Sequence, residues 1–184
     1  LKPLKEMAFE ILDAFKSRNQ KRLRKLNDEI LKEVTLDFSN TKYELAVFSY
    51  VLSKIVSKPR FLSREKVPSI RKIEDDIRDM AQVIGGVEEL VVLDKFRRIE
   101  ESISQLEKID PRFVRDFMSK GRLKAAATMY AQGISLGLAS ELTKIPKQDI
   151  LGYAGRTMMF DRLKEEMPVK QRLKAARRIL GGSE

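Results

Sequence analysis

The sequence predicts an all-α protein, built as a multi-helical bundle, and three observations carry that prediction. Only 9 Gly and 6 Pro punctuate 184 residues. Between them the apolar side chains recur mostly at intervals of three and four, the spacing that puts residues on one face of a helix. Apolar residues make up 42% of the chain and charged ones 35%, enough for both a core and a solvated surface. At this length one domain or two small ones are expected.

Each element follows from its own pattern. Leu4, Ala8, Ile11, Leu12 and Phe15 form one stripe, and Leu23, Leu26, Ile30, Leu31 and Val34 form another. Ser17, Arg18 and Asn19 separate them, which allows either a hairpin or one long helix with a wet middle turn. Asn40 is expected to cap a helix over residues 41–57 carrying Leu45, Val47, Phe48, Val51, Leu52 and Ile55. That helix is apolar nearly all round and belongs at the centre of a bundle. Residues 58–69 hold Pro59, Pro68 and four basic side chains, and read as a connector. Ser69 is then expected to cap a helix with Ile70, Ile73, Ile77, Met80 and Ile84, ended or bent by Gly85-Gly86. A helix over 87–109 follows with Leu90, Leu93, Phe96, Ile99, Ile103 and Leu106, stopped at Asp110-Pro111. Its near-heptad spacing is too short for a coiled-coil assignment and fits an ordinary bundle helix. The longest uncharged stretch, residues 125–140, is too short and too polar to span a membrane and reads as a buried helical segment. Val169, Leu173, Ala176, Ile179 and Leu180 predict a closing helix. The expected division is an N-terminal helical bundle over 1–109, for dimerisation or sensing, and a basic helical domain over 110–184.

Composition narrows the chemistry. The chain has no Cys, His or Trp, which removes Cys and Ser–His nucleophile systems, Cys/His zinc sites and disulfides. No enzyme activity, cofactor or metal is expected. The formal charge is +10, and residues 1–57, 58–69, 70–109 and 110–184 contribute +3, +3, −3 and +7. A basic excess gathered in one part of the chain is what a localised polyanion-binding face requires. No basic leader precedes an apolar stretch, so a cytoplasmic protein is expected.

One stretch puts this charge to use. Residues 138–153, LASELTKIPKQDILGY, resemble the helix-turn-helix of many prokaryotic transcription regulators. In that family a small residue lets two helices cross closely, a tight turn follows, and an apolar residue locks the second helix. Ser140 stands at the small position, Lys144 at the turn, Ile145 after it and Ile150 at the lock, with Ala139, Leu142 and Ala154 available for the contact. Pro146 suits the first turn of the second helix. This chain departs from the family at Lys144, where the usual residue is Gly; a left-handed lysine costs about 1 kcal/mol. The resemblance implies a unit near residues 135–157, with Ile150, Tyr153, Ala154 and Thr157 on the inner side. Lys147, Gln148, Leu151, Gly152 and Gly155 lie on the groove-facing side. It further implies that Lys147 and Gln148 meet bases, while Lys144, Arg156, Lys170, Arg172, Arg177 and Arg178 meet phosphates. No alternating strand pair follows, so no β-wing is expected. Ala125-Ala126-Ala127 with Tyr130 and Ala131 resembles, more weakly, the cyclin-like helical repeats of basal transcription factors.

The remaining clusters have simpler readings. Glu74, Asp75, Asp76 and Asp79 are expected to form a solvated helix face paired with Arg71, Lys72 and Arg78 rather than a metal site. Gly85-Gly86 lacks the strand and the Gly-Lys-Ser/Thr of a phosphate loop. Met158, Met159 and Phe160 read as core, and Tyr43, Tyr50, Tyr130 and Tyr153 as packing residues. Gly152 and Gly155 could alternatively mark a tight helix crossing. The leading expectation is a double-stranded-DNA-binding transcriptional regulator, with a homodimer formed by the N-terminal bundle. The alternative is an all-helical module that docks an acidic protein or RNA assembly, with no membrane involved.

Overall fold

The computed structural model describes residues 2–108 and 116–162, and within them every regular element is a helix. The first two stripes form a hairpin. Helix α1 (Leu4–Lys16) ends at Ser17, and Arg18 adopts a left-handed φ of 56° that reverses the chain. Asn19 then caps α2 (Gln20–Leu36) by accepting the Arg22 N–H at 2.9 Å.

Helix α3 (Asn40–Val56) is buried around nearly its whole circumference and packs against α1, α2, α5 and a later helix, α6 (Phe117–Ala131). Its cap is Ser39, which accepts the Lys42 N–H at 3.2 Å, so the expected cap at Asn40 lies one residue late. The connector contains two short 3₁₀ turns, Pro59–Leu62 and Arg64–Lys66, and inserts Phe61 edge-on to Phe117, with ring centroids 5.7 Å apart. Helix α4 (Val67–Val83) starts before Ser69; Pro68 occupies its first turn, where a missing N–H costs nothing, and Ser69 is not a cap. Gly85, at φ 78°, turns the chain after α4.

Helix α5 (Glu89–Lys108) buries Val92, Phe96, Ile99, Ile103 and Leu106. Leu90 leaves the expected stripe and is 76% exposed. Two residues before Val92, it is rotated about 200° away from the buried line. The Glu89 carboxylate instead accepts from the N–H and hydroxyl of Thr41 at 3.1 and 3.2 Å, meeting the N-terminus of α3.

Helix α6 joins two cores. Asp116 caps it by accepting the N–H groups of Met118 and Ser119 at 2.9 and 3.2 Å. Phe117, Met118, Ala125 and Met129 enter the large core of α1–α5, while Ala126 and Ala127 belong to a smaller one. The large core thus reaches beyond residue 110. Close approach of α6 to α3 depends on Gly121, where a Cβ would lie 2.9 Å from Val51 and 3.1 Å from Val47. The smaller core is completed by α7 (Leu136–Thr143), α8 (Lys147–Arg156) and α9 (Met159–Arg162), all of which pack on α6.

Candidate nucleic-acid interface

Short side chains and hydroxyls place α8. Ser135 caps α7 by accepting the Leu138 N–H at 3.2 Å. Ala139 is fully buried, and together with Ala126, Ala127 and Ala154 it lets helix axes approach closely around Ile150. Ala139 is therefore the buried small residue, while the neighbouring Ser140 spans the turn, its hydroxyl donating to the Ile145 carbonyl at 2.7 Å. Thr143 donates to the Ala139 carbonyl at 2.7 Å and accepts the Ile145 N–H at 3.4 Å. Leu142 packs on the larger core instead.

Between α7 and α8 the chain turns at Lys144, which takes φ 58° and ψ 21°. This is the left-handed geometry that ordinarily favours glycine, adopted by an exposed lysine. Pro146 stands one residue earlier than expected, immediately before α8, and its carbonyl receives the N–H groups of Asp149 and Ile150 at 3.0 and 3.2 Å.

The two sides of α8 divide as the periodicity requires. Ile150 and Ala154 are fully buried, with Tyr153 and Thr157 half-buried. Lys147, Gln148, Gly152, Gly155 and Arg156 are exposed, and so is Leu151 at 51%. A Cβ built at Gly152 or Gly155 meets nothing within 4 Å, so the alternative of a tight helix crossing there has no partner among the described residues. The Arg156 Nε donates to the Gly152 carbonyl at 3.1 Å, lying along the helix.

Some cations meet carboxylates, as Arg18 meets Glu74 at 3.0 Å and Arg122 meets Glu100 at 2.7 Å. Among the described residues Lys144, Lys147 and Arg156 enter no ion pair. Lys170, Arg172, Arg177 and Arg178, with the expected closing helix, lie outside the described residues.

The other clusters resolve simply. Asp75 and Asp76 pair with Arg78 and Lys72 at 2.5 and 3.5 Å, Asp76 also accepts from the Ser102 hydroxyl, and no group of three acidic side chains among the described residues could hold a metal. Of Met158, Met159 and Phe160, only Met159 enters a core; Met158 is 67% exposed, and Phe160 stands edge-on to Tyr130. No described helix is long and apolar enough to cross a membrane. The four tyrosines pack as expected, Tyr43 and Tyr50 on the larger core and Tyr130 and Tyr153 on the smaller one. Tyr50 lies beneath two lysines, an arrangement the sequence concealed because Lys124 is far in the chain from Tyr50 and Lys54. Comparison with protein-family models, curated proteins and solved structures finds no match to this chain.

Proposed function

We propose that this protein binds duplex DNA as a transcriptional regulator, with α7, the Lys144 turn and α8 acting as a helix-turn-helix. The observation that supports this reading most directly is the outer side of α8. Lys147, Gln148 and Leu151 surround two glycines that nothing among the described residues covers, next to cations with no carboxylate partner among those residues. A helix that sacrifices stability to two exposed glycines offers close backbone approach, and a major groove is wide enough to admit it. Lys147 and Gln148 meet base edges in this reading, Leu151 makes apolar contact with the groove floor, and Lys144 and Arg156 meet phosphates. Lys170, Arg172, Arg177 and Arg178 are assigned to further phosphates by the sequence alone. A homodimer presenting two copies of α8 about 34 Å apart would match half-sites one helical turn apart.

Fluorescence anisotropy with a random duplex, repeated over a series of salt concentrations, tests the assignment. With roughly five phosphates neutralised, log affinity falls against log salt with a slope of about −4 to −5. Salt-independent affinity, or binding unchanged in K147A/R156A, would overturn it. A preference for random RNA over duplex would favour the RNA-assembly alternative instead.

A further inference from the structure

A second group of cations stands beside α8. Tyr50, at the middle of α3, carries Lys54 Nζ at 5.1 Å and Lys124 Nζ at 4.5 Å from its ring centroid. The first lies one helical turn along α3, and the second comes from α6. Lys124 also donates to the buried Asn27 Oδ1 at 2.8 Å. The Asn27 amide is in turn held by the Ala46 carbonyl at 2.7 Å and the Ser49 hydroxyl at 3.3 Å. The Lys124 ammonium is therefore positioned by α2 and α3, not free on the surface. Arg24, three residues before Asn27, brings a third cation whose field reaches Tyr50, Lys54 and Lys124.

Arg24, Lys54 and Lys124 enter no ion pair among the described residues. Burial first, then the charges of Arg24 and Lys120, hold Lys54 below the usual lysine value. Lys124 is likewise lowered, chiefly by burial, with the Asp28 carboxylate opposing and Lys54 and Arg24 adding to the effect. Cations crowded in this way destabilise one another, and an anion between them reverses that cost. Their ring platform and the Asn27 bond limit the positions they can take, so the group is arranged before any ligand arrives. Lys124 belongs to α6, on which α8 packs, and Tyr153 of α8 adds to the burial that raises the Tyr50 hydroxyl.

We infer that Lys54 and Lys124, held over the Tyr50 ring, form with Arg24, one helical turn from Asn27 on α2, a phosphate-binding site on the flank of α8. Three cations from three helices suit an anion with several charged oxygens, which a single carboxylate does not supply. If α8 enters a major groove, the site receives backbone phosphates bordering that groove; this placement rests on the proposed function, whereas the phosphate chemistry does not.

The test uses the full chain and the variants R24Q/K54Q and R24Q, leaving Lys124 in place because it is tied to buried Asn27. Each protein is titrated with duplex DNA across a salt series and, separately, with inorganic pyrophosphate by calorimetry. The expected result is a salt slope shallower by about 2 in R24Q/K54Q and by about 1 in R24Q, since each lost phosphate contact removes about 0.9. Arg24 is exposed, so its single replacement reads charge without disturbing the core. An unchanged slope with loss of the pyrophosphate heat in R24Q/K54Q retains the phosphate site and overturns its placement on DNA. Equal slopes and equal heats in wild type and variants overturn the inference, as does the absence of both duplex binding and pyrophosphate heat in the wild type. Persistence of duplex binding in K147A/R156A overturns the reading of α8 alone, because the R24Q/K54Q slope is read independently.

Discussion

At Lys144 the backbone sits at φ 58°, at a cost of about 1 kcal/mol that a glycine would avoid. The hydroxyls of Ser140 and Thr143 bond across this turn and hold the geometry. A lysine kept there places a cation at the junction of the two helices, where the proposed function uses it. Asp116 shows a different residue-scale effect. Burial alone would raise its carboxyl, but bonds from the Ser119 hydroxyl and from the N–H groups of Ser119 and Met118, with Arg122 nearby, hold it below the usual aspartate value. A carboxyl with a depressed folded-state value stabilises the fold above its unfolded-state value. That contribution disappears as pH falls through the folded-state value. Asp116→Ala should therefore cost about 1 kcal/mol at neutral pH. Urea unfolding of both proteins should show the gap closing as the solution is acidified toward pH 2.

Among the elements, α6 and α8 use glycine for opposite reasons. On α6, Gly121 is the point where the helix touches Val47 and Val51 of α3, and a methyl group has no room unless one of them moves. Gly121→Ala should destabilise by about 1–3 kcal/mol despite alanine's better helix propensity. On α8, a Cβ at Gly152 or Gly155 would meet nothing within 4 Å among the described residues. Gly152→Ala and Gly155→Ala should each stabilise by about 0.5–1 kcal/mol. Thermal midpoints check the signs, and duplex affinity checks the purpose. If backbone approach to the groove is what these glycines serve, binding should weaken in the same variants that melt higher. A rise in both would show that the glycines serve no contact with DNA.

Across the whole molecule, α6 ties the unit that presents α8 to the larger bundle, and Arg122 is its polar fastening. The guanidinium grips Glu100 through two bonds at 3.0 and 2.7 Å, reaches Glu44 at 3.4 Å, and the Arg122 carbonyl accepts from the Tyr43 hydroxyl at 3.3 Å. Burial keeps the Glu44 carboxyl above its usual value, with Arg122 opposing. An exposed ion pair contributes about 0–1 kcal/mol, and breaking a buried one costs about 3–5. Arg122→Gln, at a half-buried site with two carboxylates left behind, should cost about 2 kcal/mol in equilibrium unfolding, between those limits. Much of this architecture was legible in the chain. The stripes of α1, α2 and α4, the all-round burial of α3 and the inner and outer sides of α8 follow from helical periodicity, because a helix buries whichever face carries its apolar residues. The starts of α3 and α4 shifted by one and three residues, since neighbouring residues compete for the cap position and only backbone geometry selects among them. Leu90 left its stripe because a helix has one buried line, and Val92 to Leu106 define it. By itself, then, the sequence determined the helices, their buried faces and the basic character of the C-terminal part. Tertiary packing alone decided that nothing among the described residues covers Gly152 and Gly155, that α6 serves two cores, and that Lys54 and Lys124 meet over one tyrosine. Those are relations between helices distant in the chain, and periodicity along one helix carries no information about which face of another will oppose it.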